Sequence, residues 1–269
     1  LIKMSNYNLI IDLQNNLKSI YLRSIQDAKV HVFIKHSLKK FLLVNFKINL
    51  LKDVKPVTER YKETINRYVS GDDLLKITLP ELYTDPVSER SIENMLDSLN
   101  ITKANRLICI PAVSGHFTKT YMAENYAHII NNYPDNDAVF FLTGRGKDSA
   151  NIQLIRTLTR SKIVYDLCDK LEIEDLISLV KRSSLVICGD TGPMHIAEAF
   201  DIPIVMMAGS SVKEFGFFPH NEKAAILENN SLKCRPCSHY GKSKCPKGHF
   251  KCMKELTPET VLSKISSLI

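Results

Sequence analysis

The sequence predicts an α/β protein built on parallel sheets with helices on both faces, and three observations lead there. Short apolar runs alternate with amphipathic segments through the second half of the chain, the pattern of strands joined by crossover helices. The stretch from Ser184 to Gly209, SLVICGDTGPMHIAEAFDIPIVMMAG, reads as strand, tight turn, helix and strand in immediate succession. Loops after the apolar runs carry hydroxyl, glycine and charged residues, as expected where ligands bind beyond the carboxyl ends of strands. At 269 residues the chain has room for two domains, which we expect at 1–98 and 99–269.

In order, Leu9 to Leu13 predicts a strand, Asn15 to Ser24 a helix, Lys29 to Ile34 a strand and Ser37 to Leu51 a helix. Val57 to Val69 predicts another helix. Thr78 to Asp97 reads as a polar connection with Pro80 and Pro86, followed by or containing a short helix from Ser88. Strands follow at Leu107–Ile110, Ala138–Thr143, Lys162–Tyr165, Leu185–Cys188 and Ile202–Met207. Helices are expected between them at Tyr121–Asn132, Ser149–Thr159, Ile173–Lys181 and Pro193–Phe200. The chain opens on Leu1 rather than Met and enters an apolar strand almost at once, which reads as a sequence cut from something longer, with its first domain incomplete at the start.

No apolar run approaches the roughly 18 to 20 residues needed to cross a bilayer, and no signal-peptide pattern is present, so the expected compartment is the cytoplasm. The formal charge of +7 is unevenly placed. Lysines crowd the segment from Lys29 to Lys55, interleaved with Phe41, Leu42, Leu43, Phe46, Leu50 and Leu51. A helix there has an apolar side flanked by cations, which suits an anionic membrane surface better than a nucleic-acid groove. The alternative is a helix packed on its own domain with snorkelling lysines.

The strand ends carry the chemistry. Pro193 stands where an early helical residue needs no backbone donor, so the helix start behind Gly192 offers unpaired amides and a partial positive charge suited to a diphosphate. The competing reading is that Asp190 or Thr191 caps a structural helix. After Ile110 comes a loop with Ser114, Gly115 and Lys119, after Thr143 comes Gly-Arg-Gly-Lys-Asp148, and after Tyr165 comes a loop reaching Leu171. Loops at successive strand ends converge, so these residues and Asp190 to His195 are candidates for one cleft, with Lys119 facing the helix start as a diphosphate clamp.

Of the seven cysteines, Cys109, Cys168 and Cys188 lie in or beside strands as ordinary core residues. Cys234, Cys237, Cys245 and Cys252 form a tail cluster with His239 and His249. Four thiolates suit zinc, but the later pair lacks the close spacing of a zinc ribbon, and reduced thiols are the default in a cytoplasmic protein.

These segments together resemble the bacterial ADP-heptose:lipopolysaccharide heptosyltransferases, glycosyltransferase family 9. Asp190-Thr191-Gly192-Pro193-Met194-His195 resembles the family's donor-binding D-[ST]-G-x-x-H motif. Ser114 to Tyr121, with Thr118-Lys119, resembles its hydroxyl-plus-lysine loop, although Thr120-Tyr121-Met122 replaces the usual Arg-Trp-Pro. The tail from Cys234-Arg-Pro-Cys237 through Cys245 and Cys252 to Val261 is similar to the C-terminal signature, and Asp12-Leu13-Gln14 fits the first domain. The resemblance implies a GT-B architecture of two Rossmann-like domains with parallel sheets, the nucleotide-sugar held mainly by the second. It implies inverting transfer of heptose from ADP-L-glycero-D-manno-heptose to the lipopolysaccharide inner core, without a cofactor or an essential metal, at the cytoplasmic face of the inner membrane. Ser114, Gly115, Thr118, Lys119, Thr191, Gly192, Pro193 and His195 then serve the donor, with Lys119 and His195 stabilising charge on the leaving diphosphate. Asp190 holds the turn or a sugar hydroxyl, Asp148 takes the place of a ribose ligand and Leu171 that of a neighbour of adenine. The family's general base lies in a region that precedes this sequence, and Asp12 belongs to a later element. Two other readings remain at this level: a nucleotide-sugar epimerase of the same architecture, and a non-enzymatic basic, cysteine-rich module binding nucleic acid or zinc.

Overall fold

The structure, a computed structural model, describes residues 7–52, 55–65, 80–146, 149–160 and 162–268. They fall into two compact units, one comprising residues up to 80 with 213–217, the other 81–212 with 218–269.

In the first unit, β1 (Leu9–Asp12) pairs in parallel with β2 (Lys29–Val32), with α1 (Leu17–Ser24) crossing between them. Asn16 starts α1 with a capping box, its side chain accepting from Ser19 N while Ser19 Oγ accepts from Asn16 N. Next come α2 (Ser37–Phe46) and α3 (Val57–Ile65). The helix expected to reach Leu51 ends at Phe46 because Lys47 turns left-handed at φ 62°. That turn lets Leu51 enter the core at 1% exposure while Asn49 Oδ1 accepts from Leu51 N. The expected extension of α3 to Val69 lies outside the described residues.

The second unit begins with α4 (Pro86–Ser98), a full helix where a short one was expected. Asp85 accepts from Ser88 N and Pro86 stands in the first turn, a strong start signal. Strands β3 (Arg106–Pro111), β4 (Ala138–Thr143), β5 (Ile163–Asp166), β6 (Leu185–Cys188), β7 (Ile204–Ala208) and β8 (Ala224–Glu228) form one parallel sheet in the order β5-β4-β3-β6-β7-β8. Between them run α5 (Ala123–Asn131), α6 (Ser149–Leu158), α7 (Ile173–Arg182) and α8 (Gly192–Ala199), and after β8 come α9 (Lys251–Lys254) and α10 (Pro258–Leu268). Phe117–Lys119 forms a 3-10 turn before α5, which delays that helix from its expected start at Tyr121.

The strands are apolar throughout because both faces are covered. Side chains still alternate. Ile108, Ile110, Phe140, Leu142, Ile187 and Val205 join the core beneath α5, α6 and α10, whereas Cys109, Val186, Cys188, Ile204 and Met206 face α7 and α8. Ile92 and Leu96 of α4 pack with Val139, Phe141 and Leu179, which ties α4 to this unit. Strand order reverses between β3 and β6, so a crevice opens beyond their carboxyl ends. Among the described residues, no helix is long and apolar enough to cross a membrane.

Candidate functional site

Two glycines set the geometry of the crevice. A Cβ on Gly189, which follows β6, would lie 2.2 Å from the Lys119 carbonyl oxygen and 3.1 Å from Ser114 Oγ, so the 112–120 loop can rest directly on the backbone there. Gly209, which follows β7, plays the same part toward the Thr118 carbonyl at 2.4 Å, and Ser210 N donates to that carbonyl. Ser114 is buried, its N donating to Thr120 Oγ1 and its Oγ to Lys119 O. The loop is thus held from three sides before any ligand arrives.

The Lys119 ammonium lies 2.7 Å from Asp190 Oδ2, with both side chains largely buried. Ser211 Oγ donates to the same carboxylate oxygen at 2.7 Å. Thr191 is the N-cap of α8 in extended conformation, and its side chain makes no capping bond. Gly192 opens the helix with Pro193 in its first turn, and a Cβ on Gly192 would meet no atom within 4 Å, which leaves the helix start open to a ligand. One turn on, His195 is 44% exposed with Nδ1 3.5 Å from Glu198 Oε2. Glu198 is buried and accepts from His220 N at 2.6 Å. Burial pushes the Glu198 carboxyl up, but hydrogen bonds from His195 and His220 N and the nearby imidazoles outweigh it and hold the group below the usual glutamate value.

Beside this start lies a cavity of about 320 Å³, bounded on one side by Ser114 and Gly115 and on the other by Thr191 and Pro193. Leu171 joins its apolar wall. Five of the sequence candidates therefore share one cavity, and Lys119, Asp190, Gly192 and His195 adjoin them in the chain. Thr118 does not share it. Its side chain is buried, with Oγ1 accepting from Lys242 N and its own N donating to Lys242 O, so this hydroxyl fastens the loop to the tail. Asp148 lies outside the described residues. The sequence reading missed Thr143, Arg145, Ile173 and Leu176 on the cavity wall. Ile173 and Leu176 carried an ordinary core-facing signal, whereas Gly144-Arg145-Gly146 at a strand end was visible as a ligand loop; Asp169 Oδ1 accepts from Gly146 N and shapes it.

Asp12, set aside as a general base because the resemblance places it in a later element, is engaged within its own unit. It accepts from Asn15 N at 2.6 Å and pairs with Arg23 at 2.9 Å. In the tail, buried Arg235 donates to the carbonyls of Ala208, Gly209, Ser211 and Asn229 and pairs with Glu228 at 2.9 Å, pinning the segment to the ends of β7 and β8. The four tail cysteines are free thiols, Cys234 Sγ lying 3.8 Å from His249 Nε2. Burial, reinforced by the neighbouring thiols, raises Cys237 above its ordinary value; it also raises Cys252, to about 11. Among the described residues, no three His, Cys, Asp or Glu side chains form a group that could hold a metal ion.

Comparison with known proteins identifies the family and the fold. The family model of glycosyltransferase family 9 (heptosyltransferase) matches residues 2–247. Lipooligosaccharide heptosyltransferase 2 of Campylobacter jejuni subsp. jejuni serotype O:6 is 30% identical over 160 residues, 59% of this chain and 49% of that protein. The match thus spans about half the length of that relative. Among solved structures, glycosyl transferase family 9 from Veillonella parvula superposes with a TM-score of 0.76 at 19% identity, over 98% of this chain and 74% of that one. E. coli heptosyltransferase WaaC with ADP gives a TM-score of 0.62 at 17% identity, over 100% of this chain and 75% of that one. The structural likeness establishes the GT-B type of fold.

Proposed function

The chain belongs to glycosyltransferase family 9, and we propose that it takes part in inverting transfer of heptose from ADP-heptose to the inner core of lipopolysaccharide. The observation that carries this reading is the cavity at the reversal of strand order, with Ser114 and Gly115 facing the open start of α8 at Thr191 to Pro193. Its apolar wall suits a nucleoside, Leu171 lying beside the base, and its helix-start rim suits the diphosphate. The family match over most of the chain favours this reading over an epimerase or a nucleic-acid module.

In the reaction, an acceptor hydroxyl attacks the anomeric carbon while negative charge builds on departing ADP. Amides at the start of α8 and the Lys119 ammonium are suited to stabilise that charge. His195, positioned by Glu198, adds a further donor at the same helix end. Asp190 already holds the ammonium, so a diphosphate that takes Lys119 shares or displaces a carboxylate; Asp190 itself, an anion, is unsuited to face the phosphates. Asp12 is not the general base, being committed to Arg23 and Asn15.

The acceptor is an acidic glycolipid, and α2 supplies a surface for it at the cytoplasmic face of the inner membrane. Leu38, Phe41 and Phe46 are 71%, 54% and 62% exposed among lysines, and only Leu43 of that helix is buried. Core packing with snorkelling lysines accounts poorly for those three side chains.

A thermal-shift panel of ADP, UDP, GDP and CDP tests the donor reading. ADP raises the melting temperature and the others do so less; four equal or null shifts remove it.

A further inference from the structure

Arg145 is the one charged side chain among the described residues that line the cavity beside the start of α8. The sheet order β5-β4-β3-β6 sets it, just past the end of β4, between two regions of that cavity. On one side are Ser114, Gly115, Thr191 and Pro193 from the segments after β3 and β6, and on the other are Leu171 and Ile173 from beyond β5. Its backbone is fixed by the neighbouring loop. Asp169 N donates to Gly144 O at 3.1 Å and Asp169 Oδ1 accepts from Gly146 N at 2.8 Å, one bond on each side of Arg145.

The side chain is steered as well. Nη2 lies 3.8 Å from Glu172 Oε2, and Glu172 stands between Leu171 and Ile173 in the chain. The guanidinium is thereby drawn to the apolar end of the cavity. A carboxylate meets a guanidinium at its N–H edge, which leaves the planar face for a ring. With the two side chains 63% and 81% exposed, the pair is a weak one, so it aims the arginine without locking it away from a ligand. Leu167, Leu171, Ile173 and Leu176 offer a base dispersion contacts, which distinguish rings by size alone. A guanidinium plane adds an attraction to the π-face, and a larger ring system gives it more to stack on.

We propose that Arg145 is a specificity-determining residue of this cavity, laying its guanidinium on one face of the donor's base and so favouring a purine over a pyrimidine, with Glu172 as its positioning partner. This role rests on the donor reading above, to which it adds the residue that sorts the bases.

Calorimetry of the full chain with ADP, GDP, UDP and CDP tests it. The wild-type chain binds the two purine diphosphates more tightly than the two pyrimidine ones. Arg145→Ala cuts that advantage at least about fivefold, the worth of one cation–π contact, through weaker purine binding. Arg145→Lys, which keeps the charge and loses the plane, also cuts it; a full purine advantage in this variant overturns stacking. Equal weakening of all four nucleotides by Arg145→Ala overturns the proposal, because a contact to the diphosphate or a structural role would act on all alike. Four unchanged affinities overturn it too. In both cases a wild-type chain that binds ADP leaves the donor reading standing, whereas a wild-type chain that binds none of the four removes the donor reading and this role together.

Discussion

At the scale of single residues, the site is a set of side chains whose partners are already chosen. Lys119→Ala is expected to cost about 1.5–3 kcal/mol of ADP affinity by calorimetry, the range for a charge-assisted contact. It also strands Asp190 beside the diphosphate, so a loss near the upper end is expected; unchanged affinity would take Lys119 out of the site. Glu198 gives a pH signature. Its carboxyl is held low in the folded state, so its contribution to stability is present at neutral pH and is lost as pH falls through that lowered value. Glu198→Gln should therefore melt below wild type at pH 7, the two curves converging as pH falls through that lowered value, whereas a pH-independent gap would mean that the carboxylate charge has no part. That Ser114, Gly115 and Thr191 would line one cavity was legible because loops at the carboxyl ends of parallel strands converge. Thr118 sits in the same loop and looked the same, but its environment is made by Lys242, 124 residues away, and no local pattern records that bond.

At the scale of elements, the loops are clamped by residues that perform no chemistry. Gly189→Ala places a Cβ against the Lys119 carbonyl and should cost about 1–3 kcal/mol in a urea titration, as overpacking does, together with weaker ADP binding because the loop must lift. A stability loss with intact affinity would show that the loop's placement is irrelevant to the nucleotide. Arg235→Met leaves four carbonyls and Glu228 without their shared donor and is expected to destabilise by about 3–5 kcal/mol, the usual result of removing one partner of a buried ion pair. A loss below 1 kcal/mol would mean that the tail is held by its apolar contacts instead. The strands of the second unit could be read from sequence because runs such as VFF and LVIC admit few alternatives once turns bound them. Strand β8, with two alanines, and the tail, with no periodicity, could not. The length of α2 was misjudged because lysine gives no warning of a left-handed turn; Leu51 seeking the core imposes it.

At the scale of the whole molecule, ligand binding and folding are linked. At a hundredfold excess over its dissociation constant, ADP should add about 2.7 kcal/mol of stability, seen as a dose-dependent rise in the thermal transition. A rise that saturates without following ADP concentration would point to a different linkage. That ligands bind beyond the carboxyl ends of the strands was legible from the alternation of strands and helices, whereas the reversal between β3 and β6, which brings the 112–120 and 189–195 segments together, was not, because alternation does not fix strand order. The Lys119–Asp190 pair has a last consequence. A site whose cation is already neutralised from within is a poor trap for stray inorganic anions, since evicting the resident carboxylate returns little net attraction. Only a visitor that also fills the adjoining apolar hollow recovers the difference, so selectivity arises from an occupied seat rather than an empty one, and Asp190→Asn should admit plain pyrophosphate that the natural chain turns away.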